Sequence, residues 1–137
     1  MFQFQCDYRV RYADVDQMGY MYYGNYAKLY EIGRVEALRD LGIRYKDLET
    51  SGVMMPVYEN KSKFLFPAGY DELLTIKVTM IQLPSTRMIF TYEITDEAGK
   101  LLHTGETTLV FIHMESNKIT RCPSEIVDAL RPFFEHQ

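Results

Sequence analysis

Between Phe2 and Tyr12 the chain alternates, with Phe2, Phe4, Cys6, Tyr8, Val10 and Tyr12 separated by Gln3, Gln5, Asp7, Arg9 and Arg11. A period of two is that of a half-buried β-strand. The period then changes. Over residues 22–41 the positions Tyr26, Leu29, Tyr30, Gly33 and Ala37 fall on one helical face, and Ile32, Val35, Leu38 and Leu41 widen it beyond a narrow stripe. Gly42 is a natural cap for this helix, and Arg39 suits its last turn. A short helical turn follows over Tyr45–Thr50, broken by Ser51 and Gly52.

Strand patterns fill most of the remainder. Residues 53–66 read as extended, with Pro56 placing that end at an edge or bulge. Leu74, Ile76, Val78 and Met80 alternate with Thr75, Lys77 and Thr79, which gives one apolar and one wet face. Met88, Phe90, Tyr92 and Ile94 repeat the pattern. Residues 96–99 form a turn, residues 100–114 another strand, and residues 115–117 a second turn. Ile119 opens a short last strand, and a final helix begins near Pro123, Ser124 and Glu125. One long helix followed by four apolar strands predicts an α+β fold, a curved antiparallel sheet wrapped around that helix.

Composition narrows the classes. At 137 residues, with 47% hydrophobic and 25% charged positions, the chain reads as a single globular domain over residues 1–137 with a sizeable core. A net charge of −4 argues against a general nucleic-acid binder, which needs a basic footprint. No apolar run approaches the roughly 20 residues of a membrane helix, and the first ten residues alternate where a secretory leader would be uniformly apolar. Membrane insertion is therefore not expected, and a cytoplasmic location is. Cys6 and Cys122 lack metal-type spacing and read as buried, reduced thiols. His103, His113 and His136 form no ligand set, and no metal site is expected. His103 and His113 have the same parity on one strand but lie roughly 33 Å apart.

The candidate chemistry lies where strand gives way to helix, in the run Asp14-Val15-Asp16-Gln17-Met18-Gly19-Tyr20 and on to Tyr26. The first amides of a helix lack internal acceptors and carry the positive end of its dipole, so they can hold the charge that grows on a carbonyl oxygen. A carboxylate beside them can attack the carbonyl carbon or take a proton from attacking water. A thioester needs no strong general acid, since its thiolate leaves with a pKa of roughly 8.5. Asp14, at the strand's end, suits a turn or capping role better than Asp16 does.

Taken together, these segments resemble the hotdog-fold acyl-CoA thioesterases of the 4-hydroxybenzoyl-CoA thioesterase type. The resemblance rests on Tyr12-Ala13-Asp14-Val15-Asp16, Gly19, Tyr22-Tyr23-Gly24-Asn25-Tyr26 and Glu31-Ile32-Gly33-Arg34, on Leu38 and Leu41-Gly42, on Phe66-Pro67-Ala68-Gly69-Tyr70-Asp71-Glu72-Leu73, and on Gly105-Glu106-Thr107 through Pro123. It implies a hotdog fold and hydrolysis of an acyl-CoA to free acid and CoA, with no cofactor beyond the CoA of the substrate. Asp16 then stands at the catalytic carboxylate position, as nucleophile or general base, and the backbone N–H of Tyr23 at the carbonyl-polarising position. Tyr20 departs from the His or small aliphatic residue of many relatives, which bears on substrate preference. The resemblance also implies a homodimer joined edge to edge, with sites at the subunit boundary, and in many relatives further pairing into tetramers.

Lys61 and Lys63, on one strand face, and Arg87 are the candidate cations for the CoA phosphates, although a solvated strand face explains them equally. Met18, Met21, Met54 and Met55 are candidates for lining an acyl channel, or for ordinary core packing. Two other functions stay open. A non-catalytic acyl-CoA-binding module would use the same groove, and a hotdog dehydratase or hydratase would need a placed His, of which residues 1–102 contain none.

Overall fold

The structure, a computed structural model, describes residues 1–135, so His136 lies outside the described residues. Its elements follow the periodicities closely. Strand β1 (Phe2–Arg9) is followed by a 3-10 turn at Tyr23–Asn25 and helix α1 (Tyr26–Asp40), then helix α2 (Tyr45–Thr50). Strands β2 (Val53–Met54), β3 (Val57–Phe64), β4 (Leu73–Met80), β5 (Arg87–Thr95), β6 (Leu101–His113) and β7 (Ile119–Thr120) precede helix α3 (Ser124–Leu130). The one correction to the helix is at its start. The expected span began at residue 22, but residues 23–25 wind more tightly as a 3-10 turn, and α-helical geometry begins at Tyr26.

All pairings are antiparallel. β1 pairs β4, β4 pairs β5 and β5 pairs β6, while β3 and β2 lie along the other edge of β6. The period of two sends Leu74, Ile76, Val78 and Met80 of β4, and Met88, Phe90, Tyr92 and Ile94 of β5, onto the face that meets α1, where each is at most 1% exposed. Leu29 and Leu38 of α1 are buried against that face, and full burial of such a side chain stabilises the fold by roughly 1.5–3 kcal/mol. Gly33 lets helix and sheet approach closely, because a Cβ there would stand 2.8 Å from Val78 Cγ2 and 3.0 Å from Ile76 Cγ2. The curved sheet around one long helix is the hotdog architecture that the resemblance implied.

Tertiary packing departs from the sequence expectation at Cys6 and at two methionines, and it separates two histidines that the sequence left alike. Cys122 is buried but Cys6 is only half-buried, and both thiols are free. His103 and His113 keep the same parity, yet His103 is enclosed by α1 while His113, at the end of β6, is exposed. Met54 and Met55 lie beside Tyr45 and Leu48 around a cavity of about 220 Å³ next to α2, past the C-terminal end of α1. They are therefore remote from Asp16, since 15 helical residues span about 22 Å. No helix among the described residues is long and apolar enough to cross a membrane.

Candidate active site

The junction between β1 and α1 folds back on itself. Val15 bridges Met21, and Tyr20 bridges Gly69 in the segment before β4. Within this hairpin the Asp16 amide donates to the Tyr20 carbonyl at 2.9 Å and the Gly19 amide to the Asp16 carbonyl at 3.0 Å. Gly19 adopts φ +81°, a left-handed value that residues with a Cβ rarely take, which closes the turn at the position the sequence offers a glycine. The Asp16 carboxylate caps the same turn. Its Oδ1 accepts from the Met18 amide at 2.9 Å and the Tyr20 amide at 3.4 Å, whereas Oδ2 has no hydrogen-bond partner among the described residues. Asp16 is exposed, and with Tyr12, Val15, Gln17, Gly19 and Tyr70 it lines a cavity of about 650 Å³. The rings of Tyr12 and Tyr70 meet edge to face across this cavity, centroids 5.6 Å apart.

The hairpin leads directly into the helix start. The Tyr22 amide donates to the Asp14 carbonyl at 2.9 Å, so Tyr23 is the first residue of the winding turn, a position whose amide has no acceptor within the helix. The Tyr23 side chain is 67% exposed and tilts against the Tyr22 ring. A firm anchor lies behind this end of the helix. Tyr26 stacks on His103 with centroids 3.9 Å apart, Phe64 closes edge-on against both rings, and the Tyr30 hydroxyl bonds Ser62 Oγ and His103 Nε2. Burial drives the His103 pKa down to about 4, so the ring is neutral and structural.

Sequence reasoning missed the groups around Asp14. Its buried carboxylate accepts from Lys28, Tyr8 and the Arg11 amide, and Lys28 forms an ion pair with it at 2.5 Å. Burial pushes this carboxyl upward, but the hydrogen bonds from Lys28, Tyr8 and Arg11 outweigh that and hold it below the usual carboxylate range. Only the inward parity of Tyr8 hinted at this contact, because Lys28 is solvent-side in any helical wheel.

Of the candidate phosphate cations, Lys61 and Lys63 share one groove and Arg87 lies outside it. Lys61 is ion-paired with Glu59 at 3.6 Å and Glu106 at 3.7 Å, and with Lys63 it borders a groove of about 470 Å³ along β3, β5 and β6 that also includes Thr91, Glu93 and Thr104. Arg87, at the start of β5, rests over the Tyr58 ring 4.9 Å from its centroid. None of the three lines the Asp16 cavity. No grouping of His, Cys, Asp and Glu suited to a metal ion occurs among the described residues.

Known proteins match this chain in sequence and in fold. The profile of the thioesterase-like superfamily covers residues 10–130. The Bacillus subtilis (strain 168) protein YneP, named as a candidate acyl-CoA thioesterase, is 32% identical over 109 residues, which is 80% of this chain and 79% of that protein. The crystal structure of a DHNA-CoA thioesterase from Staphylococcus aureus superposes with a TM-score of 0.84 at 30% identity, over 99% of this chain and 86% of the other. In fold alone, the 1,4-dihydroxy-2-naphthoyl-CoA thioesterase Slr0204 from Synechocystis matches at a TM-score of 0.90 and 22% identity, over 99% of this chain and 100% of the other. With nearly its whole length matched in sequence and fold, the chain belongs to the thioesterase-like superfamily.

Proposed function

We propose that the protein hydrolyses an acyl-CoA thioester, with Asp16 acting at the carbonyl carbon and the Tyr23 amide binding the carbonyl oxygen. The observation that carries this reading is the single hairpin that holds an unpaired carboxylate oxygen, at the wall of a 650 Å³ cavity, and leads into a helix start. The turn amides of Met18 and Tyr20 fix the carboxylate through Oδ1 and leave Oδ2 for substrate or water. Water's oxygen ends on the acyl carbon, the C–S bond breaks, and the proton released at attack passes to the departing thiolate. Asp16 serves either as the base for that water or as the first nucleophile through an anhydride, and both routes give the same products.

Support for hydrolysis comes from the superfamily and from relatives named as acyl-CoA and DHNA-CoA thioesterases. A dehydratase reading lacks a placed base, since His103 is fully buried with its Nε2 bonded to the Tyr30 hydroxyl and no histidine among the described residues lines the Asp16 cavity. The test is thiol release from short, long and aromatic acyl-CoA esters, dihydroxynaphthoyl-CoA included. Wild-type protein turns over at least one class, and Asp16→Asn, which stays folded because an amide oxygen still caps the turn, loses about 100-fold or more in kcat. Binding of acyl-CoA without turnover, or an Asp16→Asn as active as wild type, overturns the proposal.

A homodimer completes the reading. β3 pairs only β6 among the described residues, all eight of its positions are exposed, and Tyr58, Phe64 and Phe66 stand 62%, 54% and 49% exposed on or beside it. An open strand edge with aromatic neighbours is a template for pairing with another strand, and a second copy along β3 would cover it. Light scattering should give at least twice the 16.1 kDa of one chain, with four times that mass if dimers pair again. A reducing cytoplasm suits the two free thiols.

A further inference from the structure

Two carboxylates stand two residues apart in this hairpin, and their surroundings are opposite. Asp16 is exposed, while Asp14 is 3% exposed and engaged on every side. Asp14 Oδ1 accepts from Lys28 Nζ at 2.5 Å, and Oδ2 accepts from the Tyr8 hydroxyl at 2.6 Å and the Arg11 amide at 2.9 Å. Its main-chain carbonyl accepts from the Tyr22 amide at 2.9 Å and the Asn25 side chain at 2.8 Å. These donors belong to β1, to the turn after it, and to the first residues of the helical run.

A turn in need of a cap would be satisfied by the Arg11 amide alone, and burying a carboxylate is unfavourable unless it is paired. The additional bonds serve another end. Lys28 lies in the first turn of α1, Tyr22 immediately precedes Tyr23, and Asp16 follows Asp14 by two residues. One buried side chain and its own carbonyl thus tie both halves of the proposed active site to the end of β1.

We propose that Asp14 is a positioning residue, whose clamp on Tyr8, Arg11, Lys28 and the Tyr22 amide sets the separation between the Asp16 carboxylate and the Tyr23 amide. The inference rests on the hydrolytic reading above. Asp14 does not touch the reacting atoms, and its effect is on geometry, where a displacement of about 1 Å can cost ~100-fold in rate. Three groups face its carboxylate: the Tyr8 hydroxyl from β1, the Arg11 amide from the turn and the Lys28 ammonium from α1. Arg11 and Lys28 also lie over the Tyr8 ring, 4.5 Å and 5.3 Å from its centroid.

The experiment measures kcat and KM between about pH 4 and pH 8, so that the window reaches the carboxylate range, per folded molecule, on an acyl-CoA that the wild type hydrolyses, for Asp14→Asn, Lys28→Met and Asp16→Asn. Lys28→Met removes a partly exposed side chain and leaves the Tyr8 and Arg11 donors on the Asp14 carboxylate, so it decides the matter if Asp14→Asn does not fold. The expected result is a kcat lowered roughly 10- to 100-fold in Asp14→Asn and Lys28→Met, with KM within about threefold of wild type. In Lys28→Met the acid-side fall of kcat also moves to higher pH, because Asp14 without its cation protonates more readily. Wild-type kcat and an unmoved acid limb in both variants, beside an inactive Asp16→Asn, overturn the positioning role and leave the hydrolytic reading intact. An Asp16→Asn that turns over like wild type overturns both.

Discussion

Asp14 and Asp16 are the same residue type in nearly the same place, but their environments are opposite, one buried and bonded and the other exposed at a cavity wall. Position along the chain assigned the turn-capping role to Asp14 in preference to Asp16, yet the Asp16 carboxylate also caps a turn, accepting from the amides of Met18 and Tyr20 two and four residues away. The partners of Asp14 include Lys28, fourteen residues distant, so the sequence showed only a turn residue at a strand's end. Strand parity put Lys61 and Lys63 on one face, and they do share a groove, but it did not show that Lys61 is ion-paired with Glu59 and Glu106 there. The cysteines make a prediction at this scale. Burial pushes the Cys122 thiol up to about 12 and raises Cys6, where Glu36 and Asp7 add to the effect. Because the thiolate is the reactive form, native protein at pH 8 should react slowly with a chromogenic disulfide reagent, and denatured protein should release two equivalents at once. Fast labelling of Cys122 in the folded protein would contradict its enclosure.

Elements were the most legible level. The break at Gly42, the short helix Tyr45–Thr50 and the turns after β5 and β6 all stand where local signals put them, because periodicity and turn chemistry act between near neighbours. The 3-10 winding of residues 23–25 did not show, as the Tyr22 amide is drawn to the Asp14 carbonyl by the hairpin and not by any helical propensity. Nor did the lane between α1 and β6, where Tyr30 stacks on Tyr92 at 4.4 Å and presses against Gly105. A Cβ at position 105 would stand 2.2 Å from the Tyr30 oxygen, which Ser62 and His103 already hold in place. Gly105→Ala should therefore destabilise the fold by about 1–3 kcal/mol, read as a lower urea midpoint with an unchanged slope. A midpoint equal to wild type would show that Tyr30 can move aside without loss.

For the whole molecule, burial of polar groups makes stability depend on pH. His103 sits at about 4 in the folded chain against roughly 6.5 when exposed, so between those values the unfolded chain binds a proton that the native one refuses. Stability should be complete above pH 6.5 and decline toward pH 4, by ~3 kcal/mol for this group. Asp14, held below the usual carboxylate range by its donors, adds stability that is present above about pH 4 and lost as pH falls through its lower folded value. Urea midpoints across pH 4–8 measure the upper window, and His103→Gln should flatten it; an unchanged slope in that variant would assign the dependence elsewhere. The order of strands and helices along the chain, the apolar faces and the turn at Gly19 follow from signals among residues close in sequence, and those were readable without coordinates. Which histidine is enclosed, which methionines stand far from the cavity, and how Tyr8, Asp14 and Lys28 lock strand to helix depend on residues brought together only when the sheet closes on α1, a step that periodicity does not encode.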